Sequence, residues 1–167
     1  MSDTVSYILK SSTDQTVGVI RTLLGKAADY AATIKADESV LLSARLYPNM
    51  HPATRQVQIA CDTVARGAAR LAGIDVPSFP DTETTIAELA DRCTRSIDYV
   101  NSVDAAKIDA NVRVMLDIPM GQATVPMEGR QYLSGFVLPN LHFHASIFYA
   151  LLRMQGLEIG KRDFLMP

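Results

Sequence analysis

Three histidines occur in the 167 residues, His51, His142 and His144, and two of them share the run LPNLHFHASIFYALLRMQG from Leu138 to Gly156. Neutral imidazole nitrogen is a good donor to zinc and related transition metals, so metal binding is the first chemistry to weigh. On a helix, residues two apart point roughly 200° away from each other, so the HFH run cannot close both rings on one ion. The apolar stripe through Leu133, Phe136, Val137, Ile147, Phe148 and Leu151 places Asn140 and His144 on the inward face, one turn apart. His142 falls on another side with Ser146, Tyr149 and Arg153. His51 stands beside Pro52 at the start of a different helix, as a ligand arriving from a neighbour or as a solvated first-turn residue. Gln56 lies one residue off that helix's stripe, where it faces the end of the body near His144. Two chemistries follow: a polar ligand pocket of His144, Asn140 and Gln56, or a metal on His144 with His51 or His142. A buried His144 bonded to Asn140, Gln56 or a carbonyl satisfies its polar atoms with no metal at all.

Other chemical signatures are sparse. The chain has no Gly-rich phosphate loop, no GxSxG, no HExxH and no carboxylate set at metal spacing. Glu83, Glu88 and Asp91 in DTETTIAELADR read as acidic residues on a solvated face near a helix start, where they complement the dipole. Arg153, Lys161, Arg162 and Asp163 read as surface pairs, while Phe164, Leu165 and Met166 dock on the body or on a second subunit, which makes a homodimer one expectation. Cys61 and Cys93 lack CxxC spacing and lie within helical segments, which predicts reduced, packed thiols; a redox pair would need a proximity the sequence does not supply.

The elements that must position these residues are set by period. Val5, Ile8, Leu9, Thr16, Val19, Ile20, Leu23, Leu24, Ala27 and Ile34 recur at three and four, predicting a first long helix. Asp37 to Pro48 is a connector of a turn or two. From Asn49 the stripe resumes through Met50, Ala53, Val57, Cys61, Val64 and Leu71, with Asn49 as cap, Pro52 in the first turn and Gly73 as stop. After GIDVPSFPDTETT, Asp81 or Thr82 caps a third helix whose buried face is Ile86, Leu89, Cys93, Ile97 and Val100 and which ends near Asn101; VDAAKID then adds a short turn. Val112, Val114, Leu116 and Ile118 alternate with Asn111, Arg113, Met115 and Asp117, and Pro119 with Gly121 supplies a turn, so a small β-hairpin precedes the last helix. That helix runs from about Gly129 to Gln155, interrupted by a kink or restart at Pro139. Four amphipathic helices with one hairpin insertion predict an all-α four-helix bundle, and nothing divides residues 1–167 into more than one domain.

Composition agrees. Apolar residues make up 48% and charged residues 20% of the chain, with a net charge of -2, which disfavours both disorder and a nucleic-acid partner. No apolar run reads as a membrane span, and MSDTVSYILKSSTDQ lacks the basic and long apolar regions of a signal peptide, so no membrane association and a cytoplasmic setting are expected.

RLYPNMHPATRQVQIACDTVARGAARLAG, TIAELADR and YLSGFVLPNLHFHASIFYALLRMQGLEIGKRDFL together resemble a bacterial domain-of-unknown-function family of the DinB/YfiT-like superfamily, over nearly the whole chain. The resemblance implies a DinB/YfiT-like four-helix bundle. It also implies a divalent metal, zinc or nickel, held by one histidine of the second helix and an HxxxH on the last, with thiol-dependent transfer in some members. Here His144 matches the second histidine of HxxxH, Asn140 replaces the first, and Gln56 or His51 stands for the third. Amides in place of imidazoles weaken transition-metal affinity steeply. Three functions therefore stay open: a small-molecule-binding or interaction module, a metal-dependent hydrolase or thiol transferase with a reduced ligand set, and an oligomeric structural protein.

Overall fold

The computed structural model describes residues 4–166, so the first residues of the MSDTVSYILKSSTDQ stretch lie outside it. Helix α1, Thr4–Ile34, buries Leu9, Ile20, Leu23, Leu24 and Ala27 along the expected stripe. The connector contains α2, Glu38–Leu42, capped by the Asp37 carboxylate, which accepts from the Ser39 N–H, and it buries Leu41 and Leu42. Helix α3 spans Ala53–Ala72. Its start lies four residues beyond the expected Asn49 cap. A residue that precedes proline is pushed out of the helical region, which bars His51. The orphan Ala53 N–H donates instead to the Ala44 carbonyl of the connector at 3.0 Å. Gly73, at φ 66°, ends the helix in the left-handed conformation.

Helix α4, Ile86–Ser102, is capped by Thr85, not by Asp81 or Thr82. Thr85 and Glu88 form a capping box that satisfies two orphan donors reciprocally. Asp81 meanwhile pairs with Arg55 and Arg92, which holds the chain before Thr85 in an extended path. A short α5, Ala105–Ala110, leads to the antiparallel strands β1, Met115–Met120, and β2, Ala123–Glu128, with Ile118 opposite Val125. The alternation expected from Val112 begins only at Met115. Val112 and Val114 instead offer their carbonyls to the N–H groups of Arg130 and Gly129, tying the hairpin to the next helix.

The last helix runs Gly129–Met154. It comprises α6, Gly129–Tyr132, a π-helical turn at Leu133–Val137, and α7, Leu138–Met154. Pro139 has no N–H for the Gly135 carbonyl, and the helix absorbs that loss by widening: the Leu138 N–H reaches back five residues to Leu133. The predicted break is thus a local change of winding inside a continuous helix. Its 18-residue window of mean hydropathy 1.2 is also long and apolar enough to cross a membrane, which the sequence reading missed. Leu141, Ala145, Phe148, Leu151 and Leu152 of this helix are nevertheless core residues of the bundle. A short α8, Lys161–Leu165, follows, with Phe164 packed edge-on against Tyr149 at 5.7 Å while Leu165 and Met166 stay exposed.

The long helices form a ring. Helix α1 packs chiefly on α4, α4 on α3, α3 on α7, and α7 closes back on α1. Numbers rise along α3 as they fall along α7 at each contact: Gln56 meets His144, Thr63 meets Asn140, and Gly67 faces Val137, so the pair is antiparallel. A Cβ at Gly67 would lie 3.1 Å from the Val137 methyls, and this missing side chain lets α3 approach the π-turn.

Candidate functional site

Helix α7 aims His144 at α3 because its stripe of Leu141, Ala145, Phe148 and Leu152 faces the core and His144 lies within that arc. Only 8% of the residue stays exposed, and Gln56 opposite it only 2%. The Gln56 amide Nε2 donates to the His51 carbonyl at 3.0 Å, which turns its Oε1 toward the imidazole. Nδ1 of His144 lies 2.7 Å from that oxygen and must be the protonated nitrogen, since an amide oxygen only accepts. The neutral ring therefore keeps the Nε2 lone pair free. Among the described residues that atom has no protein partner, yet it is not one of the fully buried unpartnered atoms, so solvent can reach it. Burial, reinforced by the nearby His51 and Arg55, pushes the His144 pKa down from 6.5 to about 4.

The expected pocket of His144, Asn140 and Gln56 forms only in part. His144 and Gln56 meet, but Asn140 Nδ2 donates to Thr63 Oγ1 at 2.8 Å, so Asn140 and His144 do not converge on a common ligand. The physical reason lies on the partner helix: two turns of α3 separate Gln56 from Thr63, and each takes one polar group of α7. His51 contributes its backbone carbonyl to Gln56 and leaves its ring exposed; His142 is exposed on a different side of α7.

A second polar group lay unrecognised in the sequence. Arg92 of α4 is fully buried, donating to Asp62 at 2.6 Å, Glu83 at 2.8 Å and the Pro80 carbonyl at 3.0 Å, with Asp81 at 3.0 Å. Gln58 donates to the other Glu83 oxygen at 2.9 Å. Burial works to raise the Glu83 pKa, but the hydrogen bonds from Arg92 and Gln58 outweigh it and hold the carboxyl below its ordinary value. Glu83 is thus a buried clasp, not part of a solvated acidic face. The available signal was Arg92 itself, which lies on the stripe Leu89, Cys93, Ser96 and Val100, where a lone charge must find a partner. Cys61 and Cys93 also meet here, with Sγ atoms 3.8 Å apart, both free and buried. Their mutual hydrogen bond and their burial push the Cys93 thiol well above its usual range.

A divalent metal does not fit the donor set. Among the residues that the resemblance offers as ligands, Gln56 is taken up by the His51 carbonyl and His144, Asn140 is turned to Thr63, the His51 and His142 rings are exposed, and the donor left on a buried ring is Nε2 of His144. Among the described residues no group of three His, Cys, Asp or Glu side chains is arranged to hold an ion.

The family model described as "Domain of unknown function (DUF1993)" matches residues 9–165. The chain belongs to the DUF1993 family. The DUF1993 fold is also that of a crystal structure of a DinB family member protein from Shewanella denitrificans, 34% identical, covering 97% of this chain and 96% of that one, with a TM-score of 0.81. No curated protein matches the chain. DUF1993 membership and the DinB likeness agree with the four-helix bundle built above, and they place the amides Asn140 and Gln56 inside a DinB-like framework.

Proposed function

We propose that this DUF1993 protein is a small-molecule-binding module of the cytoplasm, residues 1–167 acting as one domain, in which Nε2 of His144 accepts a hydrogen bond from its ligand. One observation carries the reading: Gln56, itself anchored by the His51 carbonyl, commits Nδ1 as donor and leaves a neutral, solvent-reachable Nε2 on an otherwise buried ring. An acceptor of fixed tautomer discriminates between ligands that can donate to it and those that cannot, since a bound ligand that covers Nε2 without donating leaves it buried and unmatched. Nitrogen-15 NMR of the imidazoles tests the premise. Expected is a protonated Nδ1 and a bare Nε2 near neutral pH; the opposite tautomer, or a charged ring, sinks the reading. A thermal-shift screen of small metabolites is expected to yield ligands whose stabilisation His144→Gln abolishes.

The competing reading is a metal-dependent hydrolase or thiol transferase. It draws support from the start of α3, where the His51 carbonyl accepts from the same Gln56 amide that meets His144. Two imidazoles with water would bind an ion weakly. Elemental analysis of tag-free protein separates the readings: binding without metal predicts substoichiometric zinc and nickel and a melting temperature indifferent to EDTA.

A further inference from the structure

Helix α3 carries a row of three arginines, Arg55, Arg66 and Arg70, at spacings that return them to one side of the helix. Between that side and the last helix lies a cavity of about 210 Å³, whose lining includes the polar Thr63 and Asn140 and the apolar Phe136 and Pro119. Three guanidiniums and one carboxylate, Asp62, line it, so its local charge is positive on a chain whose net charge is -2.

The charges are not equally free. Asp62 is committed twice, to the buried Arg92 at 2.6 Å and to Arg66 at 3.0 Å. Arg55 pairs with Asp81. Arg70 is different: its Nη1 donates to the hydroxyl of the buried Tyr132 at 3.2 Å, and it forms no ion pair with any carboxylate among the described residues. A half-buried guanidinium steered by a neutral hydroxyl keeps donors for an incoming oxyanion, and its fork geometry matches carboxylate or phosphate. Part of the polar lining is fixed too, because Asn140 donates to Thr63 and both line the cavity.

We propose that this cavity binds a small organic oxyanion, one carboxylate or phosphate group on a short apolar body, with Arg70 as its principal anchor and Arg66 beside it. The oxyanion meets the guanidinium end, and the apolar body lies along Phe136 and Pro119. The cavity is smaller than the roughly 300–1,000 Å³ of clefts that take drug-sized ligands, so the occupant is metabolite-sized. The proposal goes beyond the reading of His144 and does not rest on its tautomer, since the anchors lie on other turns of α3.

The full chain is titrated with benzoate, phenyl phosphate and the neutral isostere benzamide, followed by the arginine side-chain signals in NMR. Expected is a saturable shift of Arg70 with at least one of the two anions and none with benzamide; which anion binds tells carboxylate from phosphate. Arg70→Gln is expected to weaken binding by about tenfold, with Arg70→Lys intermediate, because a charged hydrogen bond is lost and then partly restored. Lys35→Gln, a charge-matched change outside the cavity, is expected to bind as the parent does. Circular dichroism confirms folding, and Arg66→Gln, at an exposed position, serves as the second variant with a smaller loss. Benzamide binding as well as the anions, Arg70→Gln binding undiminished, or no saturable response below about 10 mM would overturn the proposal.

Discussion

The imidazole of His144 is held neutral by burial, and this has a measurable consequence. Its pKa of about 4 in the folded chain lies below the 6.5 of an unburied imidazole, so the unfolded chain binds the extra proton first as pH falls. The stability linked to this ring is fully present above pH 6.5 and drains away toward pH 4, a change of up to about 3 kcal/mol. Denaturant melts of the parent and His144→Gln between those limits are expected to diverge in slope, the variant being flatter. Arg92 makes the complementary case. Removing its charge leaves Asp62 and Glu83 buried without their cation, so Arg92→Met is expected to destabilise by about 3–5 kcal/mol in equilibrium unfolding. Because the Glu83 pKa is lowered in the fold, the stability it contributes is present above its unfolded value of 4.5 and lost as pH falls through its folded one. An Arg92→Met protein as stable as its parent would show the clasp to be dispensable.

At the scale of elements, the α3–α4 contact brings Cys61 and Cys93 together with no access for reagents, and both are fully buried. Each is expected to resist Ellman's reagent in the native protein and to react on denaturation, the thiolate being the reactive form and disfavoured here. Fast labelling of either thiol in the folded chain would contradict that packing. The end of α7 is equally specific. Gly156 sits at φ 101°, and a Cβ there would lie 2.7 Å from the Tyr30 hydroxyl, whose proton goes to the Gln155 carbonyl at 2.9 Å. Gly156→Ala is expected to lower stability by about 1–3 kcal/mol, through the left-handed backbone and the displaced tyrosine. The winding change at Leu133–Val137 follows the same logic, in that one residue without a donor sets the path of a whole helix.

For the whole molecule, burial is unevenly distributed. Helices α3 and α7 meet across the core, whereas Ile118 is the one fully buried residue of the hairpin strands and α8 has none. Native-state hydrogen exchange is therefore expected to be slowest in α3 and α7 and fastest in α8 and the hairpin; the reverse order would contradict this map of the core. The periodicity of the sequence was enough to determine four long helices, a hairpin before the last one and a disturbance at Pro139, because each follows from local rules of side-chain direction and proline chemistry. The letters alone also show that Asn140 and Gln56, two of the polar positions considered for a ligand, carry amides and not imidazoles. Tertiary structure alone decided which polar groups meet: Gln56 with His144 across 88 residues, Asp62 with Arg92 across 30, and Asn140 with Thr63 across 77. The physical reason is that a stripe states which way a side chain points, but only the packed bundle states what stands opposite, and that opposite group sets tautomer, charge and pairing.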